Sequence, residues 1–166
     1  MLAKTNDKFV LSLKPENILK EPYNRVELLG SEIIKPTIEL VYHLRVAPDS
    51  RIVLINWLLF RDDLPVIYDN QFITYFPGIS PWNDDFEYNS FSEIVNQRNH
   101  LYITQERIHI EAVGCDAQAA EKLNIPEDTP VMQITQNLMD NDDPLGMRKL
   151  YIRKECCKLT GITYLP

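Results

Sequence analysis

Glycine is scarce, at 5 of 166 residues, and no Gly/Ser linker, internal repeat or low-complexity tract divides the chain. A chain of this length without such breaks reads as one domain with one sizeable core. Cysteine is equally sparse. Cys115 and the adjacent Cys156 and Cys157 make an odd number with no C-x-x-C motif. His43, His100 and His109 fall at no metal-ligand spacing. No disulfide framework, metal site or cofactor is therefore expected, and reduced thiols fit a cytoplasmic protein. Long apolar runs are missing as well. The most apolar stretch, Ile52 to Phe60, is about half the ~20 residues of a membrane-spanning helix, and Asn56 interrupts it. The first residues carry lysines throughout and lack an apolar core of signal-peptide length.

Basic excess is the last absence. Net charge is −7, which argues against a broad nucleic-acid-gripping face on these residues. The charge is uneven. Residues 1–45 hold seven Lys/Arg against six Asp/Glu, a net of +1, and residues 46–166 hold ten against eighteen, a net of −8. What is present is an ordinary globular composition, 45% hydrophobic and 25% charged, with 8 Tyr, 6 Phe and 2 Trp, which excludes disorder.

Residues 1–25 are polar and broken by Pro15 and Pro22, so they read as an arm or linker remnant. Residues 26–34 look extended. Pro36 opens a helix, TIELVYHL, which must end before Pro48. Residues 51–60, RIVLINWLLF, are β-branched and aromatic on both faces, so this strand should be central and covered. A short polar connection leads to a strand over 66–73, a β-hairpin. Ser90-Phe91-Ser92-Glu93 is a capping box ahead of a helix reaching about Gln97. Residues 101–113 alternate as a long strand. Asp116 caps the helix AQAAEKL. Strands over 131–139 and 145–156 flank a polar turn at 140–144. The order β, α, hairpin, α, β, α, hairpin predicts an α+β fold, an antiparallel sheet with helices packed on one side.

Three segments together resemble the effector-binding UTRA domain of GntR-type bacterial transcriptional regulators of the HutC subfamily. They are LRVAPDSRIVLINWLLFRDDLPVIYDNQFI (44–73), IHIEAVGCDAQAAEKLNIPEDTPVMQI (108–134) and DPLGMRKLYIRKE (143–155). The resemblance covers about residues 26–156, and order and spacing carry it rather than one sharp motif. It implies a fold similar to chorismate lyase, with a pocket beside the sheet. It implies a homodimer that binds a small-molecule effector, such as an organic acid or phosphorylated metabolite, and no membrane. DNA would be contacted only through a linked winged-helix domain, for which residues 1–25 are too few and too proline-broken. On this resemblance the chain is either a piece of a longer regulator or a stand-alone sensor. The expected domain spans 26–166. No enzyme activity is expected. The alternatives are a chorismate lyase-like enzyme, or a dimerisation domain with a vestigial pocket.

The family often places two Arg residues on the first hairpin strand, where this sequence has Trp57 and Leu59, with Arg61 the only nearby cation. Such a pocket would favour an apolar or aromatic ligand with one anchored polar end, unless both side chains are plain core. Asp69 stands where the family commonly has Glu, and Gly146 where it has a ligand-contacting Glu. Arg148 would either restore the missing positive charge or lie on the surface. Ser90 and Ser92 sit at a helix start, where free N–H groups favour anions; the plainer role for Ser90 is a cap. Arg107 and Glu111 share one face of the long strand, with His109 between them. They would line a cavity or form a solvated ladder. Arg153, near Tyr151, is expected to be structural.

Overall fold

Two polar two-residue turns organise the sheet. The structure, a computed structural model, describes residues 8–75, 77, 87–88, 91–99 and 103–164. Strands β3 (Ile52–Arg61) and β4 (Leu64–Thr74) form one hairpin across Asp62-Asp63, and β6 (Pro130–Asp140) and β7 (Asp143–Arg153) form the other across Asn141-Asp142. Tight hairpin turns need positive φ, and Asp62 (φ 54°) and Asn141 (φ 53°) supply it, being among the few non-glycine types that tolerate it. Pro65 and Pro144 each follow their turn at a register irregularity, where the missing N–H disturbs the ladder least.

With β2 (Arg25–Ile34) and β5 (Gln105–Gly114) the hairpins make a six-stranded antiparallel sheet, ordered β2-β3-β4-β7-β6-β5. No helix among the described residues is long and apolar enough to cross a membrane. The expected α+β class and antiparallel sheet are observed. The helices, however, divide between the two faces instead of packing on one side. Helices α2 (Ile38–Leu44) and α4 (Ala117–Leu123) cover one face, packing Leu40, Leu44, Ala120 and Leu123 against Ile52, Met147, Phe60 and Tyr151. Helix α3 (Phe91–Asn99) and the short α1 (Pro15–Ile18) cover the other face over Ile55, Ile67, Leu150 and Ile152. The reason lies in β3. Its even and odd positions are both apolar, so each face needs its own cover.

Local signals place the helices. Asp116 caps α4 by accepting from the Ala119 N–H at 2.8 Å, and Asn124 ends it in the left-handed conformation. Thr37 caps α2, accepting from the Leu40 N–H, so Pro36 precedes the cap rather than occupying the first turn. Two short strands were not expected. β1 (Lys8–Leu11) pairs with β8 (Gly161–Tyr164), joining the two ends of the described chain. Between β1 and α1 the N-terminal segment, expected as an arm, sends Leu13 into the main core, with Ile18 and Leu19 beside it. Each such burial contributes roughly 1.5–3 kcal/mol.

Candidate ligand-binding site

On the α3 face, alternation sends Gly146, Arg148, Leu150 and Ile152 of β7 inward, beside Ile67, Asp69, Gln71 and Ile73 of β4 and Ile134, Gln136 and Leu138 of β6. Three polar side chains thus stand in register across an apolar face: Gln71 pairs with Arg148, and Arg148 with Gln136. Arg148 is 3% exposed and Asp69 wholly buried. A buried guanidinium is tolerable only when paired. Here Arg148 Nε donates to Asp69 Oδ1 at 2.9 Å and Nη2 to Oδ2 at 2.6 Å, a two-pronged pair. The Tyr88 hydroxyl donates to Asp69 Oδ2 at 2.9 Å and accepts from Arg148 Nη2 at 2.6 Å. Gln71 Nε2 completes the set, donating to Asp69 Oδ2 at 3.1 Å.

Electrostatics keep Arg148 charged and Tyr88 neutral. Burial opposes the charge on Arg148, but Asp69 and Tyr88 outweigh it, and its pKa is raised further. Burial pushes the Tyr88 phenol well above its usual value; Arg148 opposes this and Asp69 adds to it. Tyr88 therefore stays a neutral donor at physiological pH. Its ring leans edge-on against Trp57 (5.3 Å between centroids) and Tyr23 (6.4 Å).

Above the network lies a cavity of about 630 Å³. That is within the usual range for small-molecule sites. One wall is residues 10–16, the end of β1, the joining residues 12–14 and the start of α1. The other walls come from Tyr23, Tyr88, residues 91–93 at the start of α3, and Glu106, Gln136 and Arg148 on the sheet. Gly146 lets α3 approach: a Cβ there would meet Phe91 Cζ at 2.9 Å and Val95 Cγ2 at 3.2 Å.

The sequence-expected residues separate into three groups. Arg148 and Ser92 line the cavity, and Asp69 lies beneath it as the partner of Arg148. Trp57 and Leu59 are buried in the main core, Trp57 in edge contact with Tyr88. Arg61, Arg107 and Glu111 lie elsewhere. Arg61 pairs with Glu21 at 3.0 Å. Arg107, 58% exposed, faces Asp142 at 3.8 Å, and Glu111 faces His109 at 3.6 Å. These two point away from the cavity, because Glu106 of the same strand lines it and alternation turns their odd-numbered neighbours outward. Ser90 falls outside the described residues. Arg153 donates to the Leu123 carbonyl at 2.6 Å and the Pro65 carbonyl at 2.8 Å, tying α4 to the hairpin.

Tyr88, Glu106, Gln136 and the 10–16 wall were not anticipated. Glu106 and Gln136 carried a readable signal, a polar residue on the otherwise apolar side of its strand. Tyr88 and the wall carried none, Tyr88 being in an irregular segment and the wall spanning two four-residue elements and their connection.

The UTRA domain family model matches residues 24–156. No curated protein matches the chain. Among solved structures, a Streptomyces coelicolor chain assigned as a transcriptional regulator superposes with TM-score 0.77 at 15% identity, over 97% of this chain and 99% of that one. The C-terminal domain of the histidine utilization repressor from Pseudomonas syringae superposes at 0.72 with 17% identity, over 82% and 96%. The effector domain of PhnF from Mycobacterium smegmatis superposes at 0.65 with 20% identity, over 78% and 80%. At such identities the likeness shows the shared fold.

Proposed function

Because the chain belongs to the UTRA domain family, we propose that it is a small-molecule effector-binding domain whose occupancy adjusts DNA binding by a linked winged-helix domain. The observation that carries this is the cavity of about 630 Å³ floored by the buried Arg148–Asp69–Tyr88 network. A buried, ion-paired polar floor under an open space walled by both polar and apolar side chains suits orientation-specific binding. An open cavity also favours a sensor over a vestigial pocket. The domain proper is residues 26–166, with the preceding arm closing the site. The domain works as a cytoplasmic homodimer, and binding proceeds without turnover.

Residues 10–16 suggest how occupancy is transmitted. They form a cavity wall and lie on the N-terminal side, where a DNA-binding domain would be joined. A ligand pressing on this wall changes the stability or position of that segment.

Thermal-shift screening of sugar phosphates, organic acids, fatty acids and amines tests the reading. A saturable rise in melting temperature, with the compound recovered unchanged, is expected. Conversion of chorismate to 4-hydroxybenzoate by the chain would overturn it.

A further inference from the structure

Among the described residues, the charged groups at the cavity are Lys14, Arg148, Glu16, Glu93 and Glu106, with Asp69 directly beneath. Two cations face four carboxylates. The one buried cation is committed, since both Asp69 oxygens hold the Arg148 guanidinium. An anionic ligand reaching Arg148 would also meet the Asp69 charge at the same place.

The unpartnered groups point the same way. Gln136 is 6% exposed and lines the cavity, and its Oε1 has no hydrogen-bond partner. Its amide orientation is forced, because Nε2 donates to Glu106. Reversing the amide would set oxygen against carboxylate. Gln71 repeats the pattern: Nε2 donates to Asp69, and Oε1, wholly buried, is unpartnered. A lined, buried acceptor without a donor calls for a ligand that brings one. The aromatic wall of Tyr23, Tyr88 and Phe91 suits a cation or an apolar body.

We propose that the cavity takes an organic cation: a protonated amine on a compact aromatic or aliphatic body, its N–H groups donating to Glu106 and Gln136 Oε1. This rests on the effector-binding reading and replaces the organic acid or phosphorylated metabolite expected from the resemblance.

Calorimetry with matched pairs tests it: tyramine against 4-hydroxyphenylacetate, agmatine against 4-guanidinobutyrate, and glucosamine against glucosamine 6-phosphate. At least one amine without an acidic group should bind about tenfold tighter than its acidic counterpart. Glu106→Gln should weaken that amine by about tenfold, and Lys14→Gln, which removes a like charge, should tighten it several-fold. The opposed signs distinguish recognition from misfolding. Tighter binding of the acidic members, or the reverse response of the two variants, overturns the cation assignment and leaves the effector-binding reading standing. Absence of binding by every member overturns the cation assignment alone, and the effector-binding reading is then decided by the wider thermal-shift screen.

Discussion

Asp69 and Arg148 depend on each other. Removing Asp69 strands a buried guanidinium, so Asp69→Ala is expected to cost about 3–5 kcal/mol in urea unfolding. Replacing both, Asp69→Leu with Arg148→Met, should recover most of that loss, since two apolar groups need no partner. These two residues were legible in the sequence as candidates through the positions they hold in the family resemblance. Their pairing was not, because 79 residues separate them and only the β4–β7 pairing brings them together. Arg107 and Glu111 left two readings open, and the solvated one holds: charged residues on one face of a strand look the same in sequence whether that face meets solvent or a cavity. The thiols follow from burial. It raises the pKa of Cys115, Cys156 and Cys157, so each stays protonated and poorly nucleophilic at neutral pH. Disulfide-exchange labelling at pH 7.5 should be slow for all three until the protein is unfolded. Rapid labelling of Cys115, which is wholly buried, would contradict this.

At the scale of elements, close approach and capping decide stability. Gly146→Ala pushes a methyl into Phe91 and against the Phe72 carbonyl at 3.3 Å, so α3 must shift. A loss of about 1–3 kcal/mol is expected in thermal unfolding. Asp116→Ala removes the α4 cap and should cost about 1 kcal/mol. The strands of the main sheet were legible because their apolar runs are bounded by Asp, Asn and Pro at the turns. β1 and β8 were not, because four residues without clear alternation resemble a loop until a partner strand is found. The side on which each helix packs was also hidden. Sequence order states that a helix follows a strand, but not which face it covers.

Across the whole molecule, the two ends of the described residues meet. β1 pairs with β8, and the segment between β1 and α1 both anchors Leu13 in the core and walls the cavity. Charge divides unevenly along the same chain, with a net of +1 over residues 1–45 and −8 over residues 46–166. Hydrogen exchange across the full chain tests the central claim most directly. It is measured without ligand and with whichever compound raises the melting temperature most. Slower exchange is expected at residues 10–16 and 91–95, the wall and the helix start that enclose the cavity. Unchanged exchange there, with protection on the α2–α4 face instead, would contradict the assignment of this cavity as the effector site.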